Sequence, residues 1–312
     1  MKKRQLAIDK IITLNIDGSR QRIRLCAARP GLPPLLVVQG GPALPLLHEV
    51  AKFQRLLDLE SKFLVAYWEQ RGCGDAPAHD ARSVSLARQV DDLRSVLRWL
   101  HGETRQRALV LGISIGGTIT LQAVEHEPDL VRAVIAVSPD ARTTVSDAAA
   151  HAFLQEQALG PDRQRIRRRV MALGQPPFVD PAVFQRRVRL LADLGTIEHG
   201  KTFGTLVREM LLAVIRTYGA VGGMRALRNM NIVQRKLLPE IAALDLFARL
   251  PRVAVPVHYV FGEQDVLTPA SVVKELPAAI AAPGTTVVRL PDAGHMVHFD
   301  QPRIVRSILE AA

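Results

Sequence analysis

The chain contains one stretch, Gly112-Ile113-Ser114-Ile115-Gly116, that follows an apolar run and precedes residues typical of a helix. A Gly-x-Ser-x-Gly between a strand and a helix is typical of a sharp turn that presents its serine at the end of a sheet. Such a turn strains the serine backbone and leaves no room for a Cβ two residues before and after it, so glycine is needed at both positions. The sequence therefore predicts that Ser114 is a nucleophile at the C-terminal edge of a sheet.

Strand-like and helix-like segments alternate on both sides of this turn. Six apolar runs are compatible with buried strands: residues 33–39, 63–68, 108–111, 131–137, 257–261 and 285–290. Because helix-compatible stretches separate them, the alternation predicts an α/β protein with a mostly parallel sheet and helices on both faces. Two further segments alternate around Asp17-Gly18 and predict an N-terminal β-hairpin.

The alternation breaks between residues 141 and 250, where strand-like runs nearly disappear. Helical stretches in this region are separated by Gly160-Pro161 and Pro176-Pro177, and arginine is abundant. We predict that residues 141–250, called the cap segment below, form a helical insertion. Residues 1–140 and 251–312 would then form the α/β core.

Composition limits the partners that this chain is expected to have. The 312 residues carry a formal net charge of +11 with only 4% aromatic residues and no nucleic-acid-binding motif, so we expect a solvated basic surface and no nucleic-acid partner.

Charges follow the basic residues 2–4 where a signal peptide would be apolar, and no run of about 18 uncharged apolar residues exists, so no membrane partner is expected. Cys26 and Cys73 are too few for a disulfide framework, which favours a cytoplasmic protein. The sequence is compatible with a monomer or a homodimer.

Two later segments supply an acid and a base in the order Ser, Asp, His. Asp265 follows a predicted strand, so its carboxylate is expected at the same sheet edge as Ser114, where it can fix the tautomer of an imidazole. His295 follows the last predicted strand and is the candidate general base. Asp140 is the alternative acid. His298 is the alternative base, although its apolar neighbours favour a packing role.

A glycine-rich loop at residues 39–42 follows the first buried strand of the α/β part. Glycines allow the backbone to approach a substrate closely. We therefore expect an oxyanion hole made by the backbone N–H groups of Ile115 and Gly41, with Gly40 beside the substrate. The motifs require neither a metal nor an organic cofactor, and none is expected.

Five motifs together resemble those of the α/β-hydrolases of the proline iminopeptidase-like group: residues 39–42, 70–74, 112–117, 262–265 and 294–295. The resemblance covers the predicted core on both sides of the cap segment and implies an α/β-hydrolase fold. In this group the Gln-Arg-Gly-x-Gly motif supports the site and the cap. The resemblance therefore implies a structural role for Arg71.

The resemblance also raises the question of how a substrate amine would be bound. True iminopeptidases hold the free amine with cap carboxylates near a Trp-Glu pair, whereas the cap segment here contains no tryptophan. Glu198, Glu209 and Glu240 are the candidate substitutes, and we assign Glu209 to substrate binding. The many arginines of the cap segment would instead suit an anionic or neutral substrate.

These features predict a serine hydrolase that cleaves a small ester, lactone or amide through an acyl-enzyme on Ser114, with His295 as general base and Asp265 as acid. The expected substrate is a small molecule or a short peptide. An aminopeptidase of the proline iminopeptidase type is the alternative. A non-hydrolytic ligand-binding protein or a lyase on the same fold is the alternative of another class, although a pure binding protein would not need all three groups.

Overall fold

A mixed sheet of eight strands runs through the computed structural model, which describes residues 6–280 and 282–312. The basic residues 2–4 lie outside the described residues. The strands are β1 (Ile8–Ile16), β2 (Ser19–Ala27), β3 (Pro34–Val38), β4 (Leu64–Glu69), β5 (Ala108–Ile113), β6 (Val131–Val137), β7 (Val257–Gly262) and β8 (Thr286–Leu290). Their order across the sheet is β1-β2-β4-β3-β5-β6-β7-β8. β2 pairs antiparallel with both β1 and β4, and all other neighbours pair parallel, which confirms the predicted mostly parallel sheet.

Helices connect the parallel strands and continue to the end of the chain. They are α1 (Val50–Leu56), α2 (Ala78–Arg82), α3 (Leu86–Thr104), α4 (Ile115–Val124), α5 (Thr143–Gln157), α6 (Gln164–Met171), α7 (Pro181–Asp193), α8 (Phe203–Ala242), α9 (Ala270–Ala279), α10 (Val297–Asp300) and α11 (Pro302–Ala311). None of the helices within the described ranges has the length and apolar character needed to cross a lipid bilayer.

The N-terminal hairpin turns at the two residues that predicted it. Asp17 and Gly18 have φ angles of 45° and 74°, and Ile16 pairs directly with Ser19 across the turn. Two consecutive positive φ angles match the twist of antiparallel strands, and Asp-Gly is among the pairs that adopt them most readily. The predicted hairpin is confirmed.

The sheet is buried on both faces because helices cover each of them. Leu36 and Val38 of β3 pack in one apolar cluster together with α3, whereas Leu35 and Val37 pack in a second cluster with α1 and α11. Successive strand residues point to opposite faces, so a strand covered on both sides must be apolar at every position. This is why the central strands appear in the sequence as uninterrupted apolar runs.

The four helices α5 to α8 lie between β6 and β7, within the cap segment. The chain enters and leaves this segment at one place, where the Thr143 N–H donates to the Leu244 carbonyl at 3.0 Å and the Leu246 N–H donates to the Ala141 carbonyl at 2.7 Å. The division of the chain into a core and a separate cap stays a prediction.

Helix α8 is bent at Gly219, whose φ of 70° and ψ of 177° are not helical. Side chains on its inner side bind the last residue of β4 and the loop that follows it. The Tyr218 hydroxyl donates to Glu69 at 2.6 Å, and the Asn229 side-chain amide donates to the carbonyl of Ala76 at 2.8 Å. These contacts fix which side of α8 faces the rest of the protein.

Arg71 lies in a buried network that joins three parts of the fold. Two of its guanidinium nitrogens donate to the two carboxylate oxygens of Asp92 on α3, each at 2.7 Å, and one also donates to the Ile16 carbonyl at 3.1 Å. Both side chains are at most 3% exposed. Two charges buried this deeply depend on each other, because neither has water to replace its partner.

We expect Asp92→Ala to lower the free energy of unfolding by about 3–5 kcal/mol, because the Arg71 guanidinium would stay buried without its carboxylate. The double variant Arg71→Met/Asp92→Leu should lose less, since it removes both charges and keeps apolar volume. Urea denaturation followed by circular dichroism measures both values. An exposed ion pair contributes less than about 1 kcal/mol. If Asp92→Ala lowers the free energy of unfolding by no more than that, the structural role of Arg71 is contradicted.

Candidate active site

Ser114 occupies a strained turn between β5 and α4. Its backbone has φ 52° and ψ −127°, and its N–H donates to the Val137 carbonyl at 2.8 Å. Positive φ is costly for a residue with a side chain and persists only where the surrounding structure enforces it. A Cβ on Gly116 would overlap the carbonyl oxygens of Val38 and Gln39, and one on Gly112 would overlap the backbone of α4. The turn therefore depends on both glycines of the motif.

Asp265 and His295 are brought together by the loops that follow β7 and β8. His295 Nδ1 and Asp265 Oδ2 are 2.9 Å apart, and both residues are buried. The carboxylate also accepts hydrogen bonds from the Thr268 hydroxyl at 2.8 Å and the Leu267 N–H at 2.9 Å. Asp265 is thus oriented on several sides, and the histidine keeps Nε2 as the ring nitrogen that can exchange a proton.

The two groups shift each other's ionisation. Burial alone would lower the pKa of His295, but the nearby Asp265 carboxylate outweighs it, and the pKa of His295 is raised. Burial alone would raise the pKa of Asp265, but the positive charge and hydrogen bond of His295 outweigh it, and the pKa of Asp265 is lowered. The pair therefore stabilises an imidazolium next to a carboxylate, which is the state that general-base catalysis produces.

Asp140, the alternative acid, contacts the serine rather than the histidine. The Ser114 hydroxyl donates to Asp140 Oδ2 at 3.1 Å, and within the described residues no hydrogen bond joins Ser114 to His295. Asp140 is partly accessible to solvent, yet desolvation raises the pKa of its carboxyl. In this arrangement the serine hydroxyl is held by one carboxyl while the second orients the base.

The glycine-rich loop lies directly against the nucleophile turn. A Cβ on Gly40 would come within 2.8 Å of the Ser114 Cβ, and Gly41 has a φ of 65°. Ile115 is the first residue of α4, so its N–H has no acceptor within the helix. The structure thus brings Gly40, Gly41 and Ile115 to one side of Ser114, although their role in an oxyanion hole stays a prediction.

The three glutamates considered for amine binding have partners elsewhere. The Glu198 carboxylate pairs with Lys52 at 2.6 Å and with Lys201 at 2.8 Å, and Glu209 pairs with Lys201 at 2.6 Å. Glu240 accepts a hydrogen bond from the Leu86 N–H at 2.8 Å. The described contact of Glu209 is with Lys201, and its role in substrate binding stays a prediction.

His298, the alternative base, is fully buried. Its ring stacks on Phe53 with a centroid distance of 5.4 Å, and burial holds the pKa of His298 well below its usual range. These contacts match the packing role that its apolar neighbours favoured.

Sequence reasoning missed a buried ion pair beside this group of residues. Arg187 on α7 lies 2.8 Å from the Asp147 carboxylate on α5, with side chains only 4% and 8% exposed. Burial lowers the pKa of Arg187, and the carboxylates of Asp147 and Asp140 oppose this shift. We expected the arginines of the cap segment to be solvated. The spacing of Arg187 with the buried Leu190 and Leu191, three and four residues later, was the signal that it lies on the apolar face of α7.

Comparison with known proteins adds to this geometry. Residues 35–308 match the alpha/beta hydrolase family. The chain belongs to this family. It is therefore a hydrolase with the α/β-hydrolase fold, and the fold predicted from the motifs is confirmed.

Individual relatives are distant in sequence but extend over nearly the whole chain. The probable aminopeptidase YbaC of Bacillus subtilis (strain 168) is 23% identical, over 98% of this chain and 96% of the relative. Two solved structures, VinJ and the proline iminopeptidase of Mycobacterium smegmatis, have TM-scores of 0.69 and 0.68 at 14% and 19% identity. The alignment with VinJ covers 98% of both chains, and that with the iminopeptidase covers 97% of both. These likenesses agree with the predicted resemblance to the proline iminopeptidase-like group.

The raised pKa of His295 predicts the acidic side of the pH–rate profile. A general base acts in its neutral form, so kcat/KM should fall as the pH decreases through an apparent pKa above 6.5, the ordinary value for histidine. Asp265→Asn removes the charge that raises this pKa and should move the acidic limb to lower pH while reducing kcat. Initial rates from pH 5 to 9 measure the shift for both proteins. An acidic limb that stays at the same pH in Asp265→Asn would contradict the assigned pair.

Proposed function

We propose that this protein is a serine hydrolase that cleaves a small ester, lactone or amide of a small molecule or short peptide through an acyl-enzyme on Ser114. His295 acts as general base and Asp265 as the acid that orients it. The observation that carries this proposal is the 2.9 Å contact between His295 and Asp265 at the sheet edge where the strained turn presents Ser114. Membership of the α/β hydrolase family supports it.

The reaction begins when the Ser114 hydroxyl turns from Asp140 to Nε2 of His295, which accepts its proton as Oγ attacks the carbonyl carbon. The N–H groups of Gly41 and Ile115 stabilise the oxyanion. The imidazolium, stabilised by Asp265, then gives its proton to the leaving group, and an ester forms on Ser114. A water molecule activated by His295 hydrolyses this ester and restores the serine.

A ligand-binding protein or a lyase is less well supported. A buried histidine whose pKa is raised by an adjacent carboxylate is suited to receiving a proton, and binding alone gives no use for it.

Cys26 and Cys73 are free thiols in the structure, which supports the cytoplasmic location proposed for this enzyme.

The first test is Ser114→Ala with a series of p-nitrophenyl esters and lactones. We expect kcat to fall by at least about 10⁴-fold, because no other described group would form the covalent intermediate. Ser307→Ala, which changes an exposed serine on α11, is the matched control and should keep full activity. Turnover by Ser114→Ala equal to that of the unchanged protein would overturn the proposal.

An aminopeptidase is the second candidate function, and the position of Asp140 favours it. The α-nitrogen of an aminoacyl substrate lies about 2.5 Å from the attacked carbonyl carbon, because only one atom separates them. A carboxyl 3.1 Å from Ser114 Oγ is therefore within reach of that amine. A protonated amine would also compensate the desolvation of Asp140. The similarity to a probable aminopeptidase along 98% of the chain supports this candidate.

Paired substrates distinguish the two candidates. If the amine is bound by Asp140, alanine p-nitroanilide should be cleaved faster than propionyl p-nitroanilide, which lacks only the amine. Asp140→Asn should then reduce kcat/KM for the alanine substrate about 10–100-fold more than for the propionyl substrate, the usual value of a hydrogen bond to a charged group, because both substrates share any effect on Ser114. Glu209→Gln is the control, because Glu209 pairs with Lys201. If Glu209→Gln loses the preference for the alanine substrate and Asp140→Asn keeps it, Glu209 binds the amine and the assignment to Asp140 is wrong.

A further inference from the structure

Helix α8 exposes an unusual number of large apolar side chains. Six of them lie between residues 211 and 227, and we call them the α8 apolar face: Leu211 (36% exposed), Leu212 (48%), Ile215 (54%), Val221 (67%), Met224 (65%) and Leu227 (38%). Single exposed apolar residues are normal on a protein surface, but a contiguous set on one helix indicates contact with a partner.

The spacing of these residues places them on the outer side of the helix. Leu211, Leu212 and Ile215 are three and four residues apart in the first half of α8, and the remaining three recur every third residue after the bend at Gly219. The side away from Leu212 and Ile215 holds the buried Val214 and Tyr218, which binds the rest of the protein, and Leu211 lies at the border between the two sides. After the bend, Ala226 and Asn229 lie on the side away from Met224. The α8 apolar face is therefore not available to the protein's own core.

Basic residues outnumber acidic ones around the α8 apolar face, where the carboxylate of Asp75 lies beside Gly222 and is paired with Arg22. The 30 residues from 210 to 239 contain no Asp or Glu and five basic residues: Arg216, Arg225, Arg228, Arg235 and Lys236. The arginines among them are exposed. A helix that combines exposed apolar side chains with arginines and carries no carboxylate of its own fits a partner that is anionic at its boundary and apolar beneath it.

We propose that α8 docks on the surface of an anionic phospholipid bilayer. The α8 apolar face would enter the boundary between headgroups and acyl chains, and the arginines would extend to the lipid phosphates. A second copy of this chain fits less well, because a symmetric contact would bring the arginines of both copies together, and Asp75 beside Gly222 is already paired with Arg22. A nucleic acid would use the arginines but would leave the apolar side chains without a partner.

This placement differs from the sequence-based expectation of no membrane partner. That expectation depended on the missing membrane-spanning segment, and a helix that lies in the interface needs none. The proposal is independent of the catalytic assignments, because no residue of the α8 apolar face contacts Ser114, His295 or Asp265 among the described interactions.

Sedimentation with vesicles tests the proposal. The full chain is mixed at low salt with vesicles of phosphatidylcholine alone or with about one-third phosphatidylglycerol, and the bound fraction is measured. We expect binding to the anionic vesicles at least about tenfold tighter than to the neutral ones, and a loss at high salt. Each of Arg216→Gln and Arg228→Gln should weaken it about fivefold.

The apolar contribution needs its own variant and control. Met224→Glu places a charge in the middle of the α8 apolar face and should reduce binding at least tenfold beyond the effect of one lost arginine. Met171→Glu is the matched control, since Met171 is 76% exposed on the arginine-rich α6 and makes the same change of charge. Both residues are exposed, so both variants should keep the circular dichroism spectrum of the original protein.

Three outcomes would overturn the proposal. Equal binding to neutral and anionic vesicles would remove the role of the arginines. If Met224→Glu and Met171→Glu lose vesicle binding equally, binding depends on the net charge of the protein and not on the α8 apolar face. A dimer in light scattering that Met224→Glu converts to a monomer, without vesicle binding by either protein, would make a second copy the partner of this face.

Discussion

The candidate site depends on the left-handed backbone of Ser114. A serine with φ of 52° is held there because Val137 accepts its N–H and because the neighbouring glycines let β3, β5 and α4 approach within contact distance. One conformation thereby sets the direction of the hydroxyl, the start of α4 and the place of the loop at residues 39–42. A side chain at Gly116 would push α4 away from the end of β3. The geometry of the site and the packing of the sheet edge therefore cannot change independently.

Around this turn the protein gathers more carboxyls than a serine nucleophile requires. Asp265 is committed to His295 and Asp147 to Arg187, which leaves Asp140 with the serine hydroxyl as its described side-chain partner. Each of these carboxyls is desolvated, and a neighbouring charge offsets part of that cost: His295 for Asp265, Arg187 for Asp147, and His295 again for Asp140, which also accepts the hydrogen bond of the Ser114 hydroxyl. The pKa of Asp140 stays raised, so its ionisation is sensitive to the charge of a group that enters the site.

Much of the fold could be predicted because local physical rules decide it. The Asp17-Gly18 turn, the apolar runs of the buried strands and the glycines beside Ser114 each follow from backbone geometry or burial within a few residues. Family membership and the structure confirm the fold class, while the assignments of Ser114, Asp265 and His295 stay predictions that the geometry supports.

Side-chain pairing across the cap segment could not be predicted in the same way. An exposed-looking glutamate such as Glu209 gives no sign in the sequence that a lysine eight residues earlier will bind it. The net charge and the low aromatic content predict a solvated basic surface, yet the side chain of Arg187 is buried against Asp147, forty residues away in sequence. Such pairs depend on how two helices meet, and several arrangements of α5 and α7 would satisfy the same apolar pattern.

The hydrogen bonds of Thr143 with Leu244 and of Leu246 with Ala141 close the ends of a segment of roughly one hundred residues within one short ladder. Because both crossings lie side by side, the helices α5 to α8 connect β6 and β7 through ends that are close together, and Tyr218 and Asn229 add contacts with Glu69 and Ala76. The cost of closing a loop depends weakly on its length once the ends are fixed. A change in the length of these helices would therefore add little to the cost of loop closure between β6 and β7, and its effect on the sheet would depend on contacts such as that of Tyr218 with Glu69.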